Sequence, residues 1–257
     1  MKTSVAVRLA PWLATAALFI VWEAACRFFN IPVFFLPPPS LVFKAVIDYW
    51  PALYKHSLFT LSSTLVGFAM AVAFGLALGL AVGWSRAIYA GVYPLMIGFN
   101  AIPKVAVVPI LVLWFGIGFI PAVLTAFLIS FFPIVVNVAT GLATIEPELE
   151  DVLKALGASK LDIMRKVGIP RTQPYLFGSL KVAITLAFVG TIVSETVGAN
   201  AGLGYLIALA GSNFQVPLVF AALLLLAVEG IAMYAVFAYV EVYFTRWAFR
   251  SSMSAAG

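Results

Sequence analysis

Few residues in this 257-residue chain have side chains suited to bond-making chemistry: it carries one cysteine, Cys26, one histidine, His56, and ten acidic groups. That inventory excludes a disulfide framework, a Cys/His zinc cluster and most histidine acid–base catalysis. Cys26 follows Glu23-Ala24-Ala25, whereas a lipid-attachment site would place an apolar residue three before the cysteine, so it reads as an ordinary apolar side chain. No G-x-x-x-x-G-K-[ST] phosphate loop is present, so the chain does not hydrolyse ATP by that route. Three charged residues, Lys104, Glu195 and Glu229, fall inside apolar stretches, where a charge is costly and faces protein or a water-filled path. One reading sets Lys104 beside a translocated anion, with Asn100, Asn137, Ser194, Glu195 and Asn200 as polar lining. The other pairs these groups with one another or with carbonyls freed near Pro103. His56, at the start of an apolar stretch, is assigned no role.

A second cluster of polar chemistry is the segment 146–178, where charge density rises abruptly. Pro147 suits a first helical position. Leu149, Val152, Leu153 and Leu156 recur at helical spacing, Glu150 can pair with Lys154, and Gly157 can end the helix. Ser159 and Asp162 form a capping-box pattern opening a second short helix that carries Ile163, Met164 and Val167 and stops before Pro170. The expected product is a helix-turn-helix with an apolar ridge. A groove on another protein is its natural cover, and the alternative cover is the chain's own helices.

The elements that must hold these residues lie in lipid. The chain is 64% hydrophobic and 10% charged, with a mean hydropathy of +1.11, well above the roughly half-apolar usage of a soluble domain. Stretches long enough to cross about 30 Å of hydrocarbon fall at 9–29, 58–83, 88–115, 119–143, 180–199 and 216–244. The third contains Pro94, Pro103 and Pro109 and is expected to kink or to form two half-helices. A short interfacial helix is expected over 41–50, capped by Ser40 after Pro37-Pro38-Pro39. The second stretch carries Gly67, Ala71, Gly75, Gly79 and Gly83 on one face, which permits close approach of another helix, within the chain or across a pore or dimer contact.

With six spans the termini share a side. Lys2, Arg8, Arg86, Lys154, Lys160, Arg165, Lys166, Arg171, Lys181, Arg246 and Arg250 fall there, and only Arg27, Lys44 and Lys55 fall opposite. The positive-inside rule then makes the termini and the 146–178 loop cytoplasmic.

Gly157-Ala158-Ser159 followed by Val167, Ile169 and Pro170 resembles the loop signature of binding-protein-dependent ABC importer permeases: Glu-Ala-Ala, three residues, Gly, nine residues, Ile-x-Leu-Pro. Here Asp151-Val152-Leu153 stands at the Glu-Ala-Ala positions, so the acid and the spacing are kept and the two alanines are not. The segments 101–118 and 194–207 resemble the nitrate, sulfonate and taurine branch of the same family, so the likeness covers nearly the whole chain.

The resemblance implies an all-α membrane protein of the type I importer permease fold, in one domain over 1–257: an N-terminal span and extracytoplasmic segment (1–57), a permease core (58–245) and a coupling loop (146–178). It implies a non-enzymatic transport subunit in a bacterial inner membrane. No cofactor is expected in this chain; ATP and Mg belong to a partner. The implied partners are two ATPase subunits, a second permease copy in a homodimer, an extracytoplasmic solute-binding protein and membrane lipids, but no nucleic acid. Asp151, Leu153, Lys154, Leu156, Gly157, Ala158, Arg165 and Pro170 would contact the ATPase. The solute stays open among nitrate, sulfonates such as taurine and small heterocycles. A secondary transporter or channel, the main rival, would show broken helices at matching positions in both halves, and only one broken helix is expected. A membrane-embedded enzyme would need a cluster of titratable residues within the spans.

Overall fold

The computed structural model describes residues 5–144 and 146–254; Lys2 lies outside the described residues, as do the side chains of Arg8, Arg86, Arg246 and Arg250. The elements in chain order are α1 (Val5–Phe28), α2 (Pro39–Asp48), α3 (Trp50–Gly83), α4 (Arg86–Ala101), α5 (Val108–Phe115), α6 (Phe119–Ala143), α7 (Pro147–Ala155), α8 (Lys160–Ile163), α9 (Ile169–Gly198), α10 (Leu203–Ser212) and α11 (Val216–Ser254). Among the described residues there is no strand. Helix is what an apolar medium demands of such a chain, because each span must satisfy its own backbone hydrogen bonds.

Five helices among the described residues are long and apolar enough to cross a membrane, and α4 with α5 makes a sixth span bent by 69°. The bend falls at Ile102 and Pro103, where the backbone turns extended before a 3₁₀ turn over Lys104–Val107. Of the three prolines in this span only Pro103 breaks it. Pro94 lies inside α4, and Pro109 sits in the first turn of α5, where its missing N–H is no loss.

The centre of the bundle is a seam between α3 and α6. Ideal Cβ atoms on Gly67, Gly75, Gly79 and Gly83 would lie 2.6–2.8 Å from Ala126, Ile134, Val138 and Leu142 respectively. The pairing advances along both helices in the same sense, so α3 and α6 run parallel. The glycine stripe is therefore used within the chain. α9 runs antiparallel against both, with Gly141 meeting Thr172 and Gly190 meeting Thr125 at opposite ends, and Thr64 Oγ1 donating to Thr191 Oγ1 at 3.0 Å. α11 lies against α9 and α3 through Phe177–Phe244 and Phe68–Phe237. Buried Ala71, Ala126, Ile134, Leu180, Ala183, Ile184 and Ala187 fill the space between. The lipid-facing exterior is large and apolar.

Three expected boundaries change. The second span starts at Trp50, because α2 ends at Asp48 and the chain re-enters helix at once. The short helix begins at Pro39, so Ser40 is not its cap: the Ser40 N–H and hydroxyl both donate to Glu23 of α1, each at 2.9 Å. The fifth span begins near Ile169 rather than 180, since a π-helical turn over Met164–Gly168 carries α8 into α9. Pro170 thus does not stop the chain; the wider turn absorbs its missing donor.

Candidate functional site

The ends of α3 and α6 and the start of α9 lie at one end of the bundle, and α7 and α8 sit there. α7 ends at a Schellman turn: the Ala158 N–H donates to Leu153 O at 3.0 Å and the Gly157 N–H to Lys154 O at 2.9 Å. Gly157 has φ +83° with nothing within 4 Å of an added Cβ, so glycine is required by conformation and not by crowding. Ser159 and Asp162 close the expected capping box around the start of α8. Lys154 Nζ pairs with Glu150 at 2.9 Å and approaches Asp151 at 3.7 Å. The hydrogen bond from Lys154 to Glu150 holds the ammonium above the usual lysine range. Arg171 ties the start of α9 to Glu146 at 3.1 Å.

The two helices bury different amounts. Ile163 and Met164 are buried and Val167 is half-buried, and Met164 joins the bundle core beside Leu142 and Ile184. The ridge of the second helix is therefore covered by the chain itself. On α7 the reverse holds: Val152 is exposed, and Leu156 at its C-cap is 79% exposed. Leu153, Leu156, Gly157, Ala158, Asp162 and Lys166 line a groove of about 310 Å³. Asp151 and Arg165 are exposed, and Pro170 is half-buried. The eight expected coupling residues thus run from α7 through the Gly157 turn and the π turn to the first turn of α9.

The six expected path residues do not gather. Lys104 Nζ donates to the carbonyl of Asn100 at 3.1 Å and to its Oδ1 at 2.8 Å, and it lies 5.8 Å from the Phe132 ring. A cation is thus set on the last turn of α4, where free carbonyls and the helix dipole favour it. Asn137 turns back to donate to Pro133 O at 2.8 Å, and Asn200 is exposed near Gly118. Ser194 is buried, and Glu195 is 1% exposed. Neither faces an open surface here, because α9 packs this turn against α3 and α10. Glu195 accepts from Thr60 Oγ1 and from the Gly204 N–H, both at 2.9 Å. Glu229, 7% exposed, accepts from Ser57.

Sequence reasoning missed several of these partners. His56 is not idle, since its Nδ1 accepts from the Gly202 N–H at 3.0 Å. Lys181 pairs with Glu241 inside the bundle, both partly buried. Ser57, Thr60 and Thr64 at i, i+3 and i+7 are the signal that could have flagged a polar stripe on α3. What they meet is 127 to 172 residues away. Among the described residues no group of three or more His, Cys, Asp or Glu side chains could hold a metal ion.

Comparison with known proteins adds the family. A family described as "Binding-protein-dependent transport system inner membrane component" matches residues 71–244. The formylaminopyrimidine transport permease protein ThiX of Halalkalibacterium halodurans is 33% identical over 240 residues, 93% of this chain and 96% of that protein. The riboflavin transport system permease protein RibX of Chloroflexus aurantiacus is 36% identical, covering 90% of this chain and 87% of that protein. The taurine transport system permease protein TauC of Escherichia coli is 24% identical, covering 83% of this chain and 80% of that protein. Among solved structures, an inward-facing MetNI methionine ABC transporter chain superposes with TM-score 0.67 at 21% identity, covering 77% of this chain and 98% of that one, which supports the fold.

Proposed function

Because this chain belongs to the binding-protein-dependent transport system inner membrane components, we propose that the exposed α7–α8 loop is the docking site of a separate ATPase subunit. The chain is a transmembrane permease of an ABC importer, and energy has to reach it from outside. The observation that carries the docking assignment is Leu156, an apolar side chain left 79% exposed on a loop that lies at an end of the bundle rather than in the hydrocarbon. An apolar helix face seated in a groove on a partner is a recurring mode of recognition. Leu153 and Leu156 supply the apolar contact, Asp151, Lys154 and Arg165 the polar rim, and Gly157 with Ala158 the rigid turn that transmits force to α8. Because α8 runs through the π turn into α9, movement of the loop passes to a span that packs on both α3 and α6.

In this reading ATP binding draws two ATPases together, the docked loops follow, and two permease copies rock between inward-open and outward-open states. The termini and loop are read as cytoplasmic because, along the sequence, most basic residues flank the spans on the side that the loop shares with both termini. An extracytoplasmic binding protein delivers the solute. Two relatives at about a third identity over nine tenths of the chain are named for formylaminopyrimidine and riboflavin, which favours a small nitrogen heterocycle over nitrate or a sulfonate.

The test is co-purification with the ATPase subunit followed by ATPase activity in lipid, for the wild type, Asp151→Arg and Gly157→Pro. Proline fixes φ near −65° and cannot adopt the Gly157 conformation. Loss of association in variants that still insert supports docking at this loop. Unchanged association and hydrolysis would move the docking site elsewhere.

A further inference from the structure

α10 follows directly on the loop 199–202 and has no side chain of its own to cap its start: its N-cap is Gly202, at φ +105°. Each of its first orphan N–H groups nevertheless meets a side chain from another helix. The Gly202 N–H donates to His56 Nδ1 at 3.0 Å, the Leu203 N–H to Thr60 Oγ1 at 2.8 Å and the Gly204 N–H to Glu195 Oε2 at 2.9 Å. The Thr60 hydroxyl in turn donates to that same Glu195 oxygen at 2.9 Å. His56 and Thr60 stand one turn apart on α3, and Glu195 is on α9. The fit leaves no slack: a Cβ on Gly202 would lie 2.1 Å from Glu195 Cδ, and one on Gly204 2.9 Å from Glu195 Cβ. Just before the loop, the last residue of α9 meets the turn between α5 and α6, where the Gly118 N–H donates to Gly198 O at 3.2 Å.

We propose that His56, Thr60 and Glu195 are positioning residues for transport: they form a cap, borrowed from two other helices, that makes α10 and the 199–202 loop move with α3 and α9, and neutral His56 is required for its first bond. This rests on the transport reading above. A neutral imidazole accepts at one nitrogen, whereas the imidazolium donates at both. Protonation therefore turns the Gly202 contact from donor-to-acceptor into donor-to-donor, and the first N–H of α10 loses its partner. The titratable groups around His56 are Lys55 beside it on α3, Tyr205 of α10 with ring centroids 5.8 Å apart, Glu195 of α9 through Thr60 and Glu229 of α11 through Ser57. Thr60 and Glu195 hold the other two N–H groups without titrating histidine, so the cap loosens at its first position and does not dissolve.

The experiment is hydrogen–deuterium exchange at residues 202–204 of the whole chain in lipid nanodiscs, with solute uptake by the reconstituted transporter as the second readout. Comparing about pH 7.5 with about pH 5.5 brackets histidine titration. Once corrected for the intrinsic pH dependence of exchange, the wild type should exchange about tenfold faster at Gly202 on acidification. His56→Ala should exchange as fast at both pH values. His56→Asn, whose Oδ1 replaces Nδ1 as acceptor, should stay protected at both and should retain uptake at acid pH where the wild type loses it. Equal corrected exchange in the wild type at the two pH values overturns the switch, and so does His56→Ala exchanging no faster than wild type at neutral pH. Exchange that follows the expectation while wild-type uptake is independent of pH overturns the positioning role. The exchange readout needs no ATPase, so expected exchange without any ATPase association sinks the docking reading and leaves the cap standing.

Discussion

The short helices α8 and α10 start in opposite ways. α8 is capped by its own neighbours: Ser159 accepts from the Asp162 N–H and Asp162 accepts from the Ser159 N–H, all within four residues. α10 takes its three caps from residues up to 146 positions away. The same opposition appears in the two left-handed glycines beside them. Gly157 has open space around it, whereas Gly202 is pressed against a buried carboxyl group. The difference follows from surroundings. A loop at the end of the bundle can lose a cap to water, so it needs only local chemistry, and it keeps its shape while presenting Leu156 to a partner. A helix start packed among spans has no water to fall back on, and an unsatisfied N–H there costs several kcal/mol. Its partners must be built into the fold.

The comparison can be broken most sharply at the glycines. Gly202→Ala is expected to destabilise by about 4 kcal/mol, because backbone strain adds to a clash with the Glu195 carboxyl, which can swing aside only by giving up its bonds to Thr60 and the Gly204 N–H. Gly157→Ala should cost only about 1 kcal/mol. Thermal unfolding of the two variants in lipid compares them directly, and equal losses would show that conformation, not crowding, dominates both sites. Next in size, Glu195→Ala strands the Gly204 N–H and should cost about 2–4 kcal/mol. A loss below about 1 kcal/mol would mean that α10 finds another partner. Asp162→Ala removes one local cap and should cost about 1 kcal/mol. At the bottom of the scale, Leu156→Asp should leave stability within about 0.5 kcal/mol of wild type while abolishing ATPase association. A large stability loss there would place Leu156 in the chain's own packing and remove the central argument for docking.

What the residues foretold divides along the same line. The Ser159–Asp162 box, the Gly157 turn, the Glu150–Lys154 pair and a break among the prolines of the third stretch were all readable, since each involves residues close in sequence. Expecting Pro170 to end the second helix applied a sound local rule that a π turn circumvents. The glycines of α3 announced a close neighbour and could not say which one; that it is α6, running parallel with α4 and α5 as the return span, is a property of the packed bundle. Glu195 and Ser194 looked like path residues because polar groups in apolar stretches are conspicuous. Burial among α3, α9 and α10 takes both off any open surface.

By itself the sequence determined that the chain lives in lipid, that it holds several apolar spans and that one loop carries autonomous, locally capped helices. These follow from hydropathy, charge and hydrogen bonds of short range, which hold whatever the rest of the chain does. Only the tertiary structure decided which helices share the glycine seam, that Lys104 closes the end of α4, that Lys181 answers Glu241, and that a histidine with no visible purpose secures the start of α10. Each of these is the meeting of a polar or missing side chain with something distant in sequence. In an apolar medium such groups must find partners, and packing alone chooses which.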